Sequence, residues 1–125
     1  MLLDSTELID YERRKPETRA RIREFSRQYI LGSCAITVAE LYAGRLHGTD
    51  PGLDSFVDNL VYWDITYADA IRAGQYRWQF ARRGIQLSAT DTLIAAIAAR
   101  VGAVILTENV KDFPMDDVSA QALLA

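Results

Sequence analysis

Cysteine and histidine are almost absent from this chain of 125 residues, which contains one of each. The single cysteine, Cys34, excludes an internal disulfide and a cysteine zinc site, and the single histidine, His47, excludes a histidine-rich metal site. Any metal ion bound here should therefore be a hard cation held by oxygen atoms, such as Mg²⁺ or Mn²⁺. We interpret Cys34 as a core residue and His47 as a loop residue beside Gly48.

Long apolar runs are also missing. The best candidate for a membrane span, residues 92–107, is short for that purpose and is interrupted by Arg100 and Gly102. Asp4 interrupts the first apolar run, so the first residues do not have the pattern of a secretory signal peptide. We therefore expect a cytoplasmic protein. The length, with half of the residues apolar, predicts one domain over residues 1–125 with a real core.

The chain has no excess of positive charge, and a net charge of -3 argues weakly against a passive nucleic-acid binder. Its basic residues are unevenly distributed, however. Seven of them lie close together with only two acidic residues, Glu17 and Glu24, among them: Arg13, Arg14, Lys15, Arg19, Arg21, Arg23 and Arg27. This stretch predicts either a solvated helix face or a surface that contacts phosphates or a partner protein.

Short apolar segments alternate with helical periods along the chain. Strands are predicted at Leu2-Leu3, within residues 29–36, at Val61–Trp63 and at residues 103–106. Helices are predicted from Pro16 to about Gln28, from Thr37, over residues 53–60, from Thr66 to Gly84, and over residues 90–100 with Gly102 as their end. This alternation is typical of an α/β fold with a mostly parallel sheet covered by helices on both faces.

Two details of the helices can be predicted from local signals. Thr66 and Asp69 have the spacing of a capping box. The helix that they begin should present one apolar face, made of Tyr67, Ala70, Ile71, Gly74, Trp78 and Ala81. We interpret Trp63 and Trp78 as core or interface aromatics, and the segment containing Gly48, Pro51 and Gly52 as a loop.

Four carboxylates stand at the ends of apolar segments that are far apart in the sequence: Asp4, Glu40, Asp91 and Asp112. Three of them, but not Glu40, have a simpler explanation when taken alone. Asp4 can cap a helix, Asp91 favours a helix start, and Asp112 can be a turn residue. In a parallel α/β sheet, however, the ligand site lies beyond the carboxyl ends of the strands, and all four positions map to that end. Placing several carboxylates close together at a partly buried site is energetically unfavourable, and the usual reason for it is the binding of a divalent cation.

The motifs around these carboxylates resemble those of PIN domains, and most closely those of the VapC-type toxins of bacterial toxin–antitoxin modules. The matching segments are Leu2-Leu3-Asp4-Ser5, Thr37-Val38-Ala39-Glu40-Leu41 with Gly44, Asp91-Thr92-Leu93-Ile94-Ala95-Ala96, and Thr107-Glu108-Asn109 with Asp112-Phe113. They occur in order across nearly the whole chain. The resemblance implies a PIN-like three-layer α/β/α fold with a central, mostly parallel sheet of four to five strands. It also implies a ribonuclease that hydrolyses RNA phosphodiester bonds with Mg²⁺ or Mn²⁺.

The resemblance also assigns roles to individual residues. Asp4 and Asp91 would be direct metal ligands, and Glu40 and Asp112 would complete the metal site or hold its waters. Ser5, Thr107 and Asn109 would support them; Asn109 is the neutral residue at a position where the family often has an acid. The candidates for RNA contact are Arg13, Arg14 and Lys15.

Partners follow from the same resemblance: an RNA substrate, a VapB-like antitoxin that covers the site, and a second copy of the chain. Leu53, Phe56 and Leu60 offer an apolar patch for the homodimer. Two other functions stay open. A PIN-like module whose acidic cluster is catalytically silent would serve only as an interaction partner. A small acyl- or phosphoryl-transfer enzyme of the flavodoxin-like kind is less compatible, because no glycine-rich loop follows the first strand.

Overall fold

Short apolar segments form the centre of the molecule. In the computed structural model, which describes residues 1–3 and 16–123, five parallel strands form one sheet in the order β3-β2-β1-β4-β5. The strands are β1 (Leu2–Leu3), β2 (Gly32–Cys34), β3 (Val61–Trp63), β4 (Val104–Leu106) and β5 (Ser119–Gln121). The predicted parallel α/β sheet is confirmed. Its fifth strand was not located from the sequence, because Ser-Ala-Gln has neither the apolar nor the β-branched content of a strand.

Five helices are described around this sheet. They are α1 (Pro16–Gln28), α2 (Ala35–Tyr42), α3 (Pro51–Asp58), α4 (Tyr67–Ala81) and α5 (Ala89–Val101), and a short 3₁₀ helix covers Val110–Asp112. The capping box of α4 is present as predicted: the Thr66 hydroxyl accepts from the Asp69 amide at 3.1 Å, and the Asp69 carboxylate accepts from the Thr66 amide at 2.9 Å. Gly102 ends α5 in the left-handed conformation, with φ of 71°.

Alternating side chains of the strands supply two cores, one on each face of the sheet. Ile105 belongs to the core that α4 and α5 cover, together with Cys34, Phe80 and Ile97. Leu106, the next residue, belongs to the opposite core, which contains residues from α1, α2 and α3: Ile22, Phe25, Leu41, Leu53 and Val57. The two cores and the sheet between them make the three-layer arrangement, and the buried position predicted for Cys34 is confirmed.

Gly32 allows the close packing of two neighbouring strands. A Cβ atom at this position would overlap the Trp63 ring, which packs partly buried against the core under α4 and α5. Any larger side chain would therefore displace the indole. The interpretation of Trp63 as a core aromatic is thus confirmed.

The boundaries of two predicted elements were wrong. Helix α2 begins at Ala35, directly after β2, rather than at Thr37. Pro51 and Gly52 belong to α3 and not to the preceding loop, because the Asp50 carboxylate accepts from the Leu53 amide at 3.2 Å and caps the helix there. Leu53 is consequently 2% exposed and packs in the core, so it cannot belong to an exposed dimer patch.

The apolar face predicted for α4 is the exposed one. Tyr67 is 83% exposed, Ile71 is 48% exposed and Trp78 is 62% exposed, so Trp78 is not a core residue, and its interpretation as an interface aromatic stays a prediction. The buried face contains Asp69, Ala73, Tyr76 and Phe80 instead. Apolar residues occupy both faces of this helix, and periodicity alone cannot choose between them.

None of the described helices has the length and apolarity that a membrane crossing requires.

Candidate active site

The order of the strands identifies the place where a ligand is expected. The chain moves outward from β1 through β2 to β3, and then returns to the other side of β1 with β4. In open parallel sheets, ligands bind beyond the carboxyl ends of the strands at such a switch point. Leu3 of β1 pairs in register with Leu106 of β4 at this point. Asp4 and Ser5, which follow Leu3 in the sequence, lie outside the described residues, as do Arg13, Arg14 and Lys15.

Thr107 follows β4 directly and is fully buried. Its amide donates to the Gln121 carbonyl at 3.0 Å, and its hydroxyl accepts from the Asn109 amide at 3.0 Å. The hydroxyl therefore closes a local turn at the carboxyl end of β4. The Asn109 carbonyl in turn accepts from the Asp112 amide at 2.9 Å, which starts the 3₁₀ helix. The segment after β4 is thus fixed by main-chain bonds, with Asp112 half-buried at its end.

Asp91 lies in the first turn of α5 and is half-buried. The hydroxyl of Ser88, the N-cap residue, accepts from the Asp91 amide at 3.0 Å. Because Val101 ends α5 just before β4 begins at Val104, the opposite end of the helix, with Asp91, points toward the carboxyl ends of the strands. The helix dipole also favours a negative charge in this first turn. The predicted helix start at this carboxylate is confirmed.

Glu40 is in the second turn of α2, later than predicted, because that helix begins at Ala35. Its side chain is exposed. Gly44, one turn further on, lies open: within the described residues, nothing comes within 4 Å of the place that a Cβ atom would take.

Three of the four candidate carboxylates can therefore be located. Glu40 follows β2, Asp112 follows β4, and Asp91 begins the helix that leads into β4. In residues 1–3 and 16–123, no three side chains of His, Cys, Asp or Glu are grouped closely enough to hold a metal ion. The donors fit a hard cation in kind, since all are oxygens, but the described carboxylates do not form the predicted cluster by themselves.

Two further carboxylates, Asp54 and Asp69, are buried, and both have a structural role. Asp69 bonds Arg100 Nε at 3.0 Å in addition to its capping bonds. Burial acts to raise the pKa of Asp69, but the hydrogen bonds from Arg100 and Thr66 outweigh it and the pKa is lowered. The same hydrogen bonds tie the start of α4 to the end of α5.

Asp54 fastens the loop between α2 and α3. It accepts from the Tyr42 hydroxyl at 2.6 Å and from the Gly48 amide at 2.8 Å, and His47 Nε2 lies 4.0 Å away. The hydrogen bond from Tyr42 holds the pKa of Asp54 below its ordinary value, against the effect of burial. His47 is exposed in this loop, as predicted. This contact could not be predicted from the sequence, because the acceptor and its donors lie on different elements.

Comparisons with known proteins agree with the fold. The PIN-domain family model matches residues 1–115. The tRNA(fMet)-specific endonuclease VapC of Salmonella typhimurium is 30% identical, with 90% of this chain and 88% of the relative covered. Ribonuclease VapC19 of Mycobacterium tuberculosis is 31% identical, with 91% and 92% covered.

Solved structures show the same architecture. The VapBC2 complex of Rickettsia felis bound to a promoter DNA fragment contains a chain that superposes with a TM-score of 0.81 at 18% identity, covering 97% of this chain and 96% of that one. DNA-bound VapBC of Salmonella typhimurium gives a TM-score of 0.78 at 24% identity, covering 98% and 96%. The chain therefore belongs to the PIN-domain family, with VapC-type ribonucleases among its relatives.

Proposed function

We propose that this protein is a Mg²⁺- or Mn²⁺-dependent endoribonuclease and the toxin of a type II toxin–antitoxin module. The observation that supports the proposal most is the parallel register of Leu3 and Leu106 at the switch point of the sheet, within a chain that the PIN-domain family model matches over residues 1–115. Asp4 follows Leu3 in the sequence and Thr107 follows Leu106, so residues of two of the four family motifs directly follow paired strand ends.

The four carboxylates Asp4, Glu40, Asp91 and Asp112 would hold the cation. When bound, it supplies an acidified water and stabilises the charge that develops on the phosphate. Asp91 is suited to this role because the Ser88 cap fixes the first turn of α5. Asp112 is held by the main-chain turn around Thr107. A rigid support of this kind keeps ligands in their productive geometry.

The proposal is tested by RNA cleavage in Mg²⁺, in Mn²⁺ and in EDTA. Wild-type protein should cleave a mixed RNA substrate only with a divalent cation, and Asp4→Asn and Asp91→Asn should fold normally but lose cleavage. Asp58→Asn, which removes an exposed carboxylate at the end of α3, is the matched control and should cleave like wild type. Cleavage that persists in EDTA or in either site variant would exclude the mechanism, and no cleavage under any condition would favour the silent interaction module.

We propose a VapB-like antitoxin as the protein partner. The relatives carry the VapC name, and the superposed solved chains come from VapBC assemblies. Co-expression with the product of the neighbouring reading frame should give a stable complex without ribonuclease activity. Failure of a small neighbouring product to bind and inhibit would count against a toxin–antitoxin module, without affecting the cleavage test.

We also propose a homodimer, whose apolar surface keeps Phe56 and Leu60 of the predicted patch but not the buried Leu53. A groove of about 400 Å³ is lined by Tyr29, Ile30, Phe56, Leu60 and Val61 beside β3, an edge of the described sheet. Ile30 is 70% exposed there. A second copy could cover this groove around a twofold axis. Light scattering should give about twice the mass of 14.0 kDa, and Ile30→Glu should give a monomer. A monomeric wild-type protein at micromolar concentration would disprove the dimer.

A further inference from the structure

The last two turns of α4 and the residues directly after it form a surface that the proposed metal site does not use. It consists of Gln75, Trp78, Gln79, Arg82 and Arg83, all exposed, with the spacing i, i+3, i+4, i+7 and i+8 of one helix face. We call it the Trp78 surface. Its indole is 62% exposed, although a tryptophan in a monomeric domain is usually buried to a large extent.

The segment of the chain that carries this surface is positively charged, although the chain as a whole is acidic. Residues 70–90 contain four arginines and no acidic residue, while the whole chain has a net charge of -3. Two of these arginines bind the protein itself: Arg72 pairs with Asp117 at 3.6 Å, and Arg77 donates to the Leu87 carbonyl at 3.2 Å. The other two, Arg82 and Arg83, belong to the Trp78 surface.

Arg82 and Arg83 are held in place by aromatic rings. The Arg82 guanidinium carbon lies 4.6 Å from the centre of the Trp78 ring, and that of Arg83 lies 4.5 Å from the centre of the Phe80 ring. Stacking of this kind fixes the plane of a guanidinium, so that less side-chain entropy is lost when its N–H groups bind a phosphate.

A groove runs beside the Trp78 surface. It encloses about 320 Å³, with Gln75, Gln79 and Arg83 on one wall and Asp116 and Asp117 on the other. Asp117 accepts from the Tyr76 hydroxyl at 2.9 Å, in addition to its contact with Arg72. A polyanion would therefore approach from the arginine wall, and the acidic wall would limit how deeply it enters.

The Trp78 surface lies at the same end of the α4–α5 pair as Asp91. Helices α4 and α5 are antiparallel, because Arg100 near the end of α5 binds Asp69 at the start of α4. The opposite end is the short connection over residues 82–88, which is held by a hydrogen bond of 2.9 Å from the Ile85 amide to the Phe80 carbonyl. A strand of RNA at the candidate site could thus extend onto this surface.

We propose that the Trp78 surface binds a single-stranded segment of the RNA substrate next to the scissile bond. A base stacks on the face of the Trp78 indole that does not carry the Arg82 guanidinium, and the adjoining phosphates bind Arg82 and Arg83. Single-stranded RNA is commonly held in this way, by aromatic platforms within a positive groove. The inference rests on the proposed ribonuclease function and extends it to the binding of substrate.

A second copy of the chain is the less favourable occupant. A twofold contact centred on this surface would place it against the same surface of the other copy, which gathers four arginines, Arg82 and Arg83 of each copy, in one interface. Like charges gathered in this way disfavour association, whereas RNA neutralises them.

RNA binding can be measured apart from cleavage in an Asp91→Asn protein, by fluorescence anisotropy of a labelled unstructured RNA of about 20 nucleotides. Trp78→Ala should weaken binding by roughly 5- to 100-fold, and Trp78→Phe should restore most of it, since a ring can still stack. Arg82→Gln with Arg83→Gln should lower the log–log salt slope by about 0.7 for each lost phosphate contact. Arg77→Gln, on the same helix but bonded to the Leu87 carbonyl and outside the lining of this groove, is the matched control and should bind as its parent does.

Unchanged affinity in both the Trp78→Ala and the double arginine variants would overturn the inference. A change from dimer to monomer in Trp78→Ala would also overturn it, because the surface would then be a protein interface. The two proposals can also fail separately. If the Asp91→Asn protein bound RNA through Trp78 but wild-type protein cleaved no RNA with any cation, the proposed function would be refuted and the RNA-binding surface would be retained.

Discussion

Buried carboxylates and candidate catalytic carboxylates occupy contrasting environments in this molecule. Asp69 and Asp54 are 2% and 8% exposed, and each accepts hydrogen bonds from at least two groups of the protein. Glu40 is exposed, and Asp91 and Asp112 are half-buried beside the carboxyl ends of the strands. The first pair joins elements of the fold, whereas the second set reaches solvent, where a cation and a phosphate can approach.

The contrast shows why an acidic residue in an apolar segment is an ambiguous signal. A carboxylate can be tolerated there because groups of the protein form hydrogen bonds or ion pairs with it, or because a bound ligand compensates its charge. The two cases predict opposite results on removal: a structural carboxylate costs stability when removed, while a ligand carboxylate costs activity. Substitutions that separate these two quantities are therefore the sharpest tests.

The largest effect is expected at the candidate catalytic carboxylates. Glu40→Gln and Asp112→Asn should each reduce RNA cleavage by on the order of 10-fold to 100-fold or more, as for residues that hold or orient metal ligands. The free energy of unfolding without metal should stay within about 0.5 kcal/mol of wild type. Initial cleavage rates and chemical unfolding of the same preparations check both numbers. Loss of activity together with a large loss of stability would place these residues in the structural class instead.

The next effect is a loss of stability at Asp69. Asp69→Asn removes the charge that pairs with Arg100 and weakens the capping box with Thr66. Breaking a buried pair costs about 3–5 kcal/mol, and because the Arg100 side chain is 38% exposed we expect a smaller loss, roughly 2 kcal/mol. Urea unfolding measures it. Asp58→Asn, at an exposed carboxylate, is the control, and equal stability of the two variants would contradict the structural role of Asp69.

The pH dependence of this loss gives a finer test. The folded pKa of Asp69 is lowered, so its stabilising contribution is complete above the unfolded pKa of about 3.9 and is lost as the pH falls through the folded pKa. The difference in stability between wild type and Asp69→Asn should therefore be constant from pH 7 to about pH 5 and should shrink below pH 4. A difference that grows on acidification would mean that burial, rather than Arg100, controls this carboxyl group.

Local signals in the sequence were sufficient for a large part of the fold. Thr66 and Asp69 are three residues apart, and β3 coincides with the predicted Val61–Trp63. Contacts across the chain were not predictable in this way. Arg100 binds Asp69 over a separation of 31 residues, and Tyr42 reaches Asp54 on another helix, so neither carboxylate could be identified as structural.

In the candidate site, too, local features were predictable from the sequence and contacts between distant segments were not. The positions of Asp91 and Asp112 relative to their helix and strand follow from the sequence, because strand ends and helix starts are local. The burial of Thr107 and its bond to β5 depend on a strand that the sequence did not reveal. The exposed face of α4 was missed for a different reason: Trp78 looks like a core residue until the partners of the opposite face, such as Tyr76, are known.

The smallest effect concerns the phenols that bind acidic partners. Burial and the bond to Asp54 raise the pKa of Tyr42 to about 12, and burial and the bond to Asp117 raise that of Tyr76 to about 12. A raised folded pKa gives a contribution to stability that is complete below the unfolded pKa of about 10 and is lost as the pH rises toward 12. Rapid alkaline titration of phenolate absorbance should therefore show a late phase that contains both groups. Tyr42→Phe and Tyr76→Phe should each remove part of that phase, whereas Tyr67→Phe, at an exposed site, should leave it unchanged. If Tyr42→Phe left the late phase intact, Asp54 would not be the acceptor that holds the loop between α2 and α3.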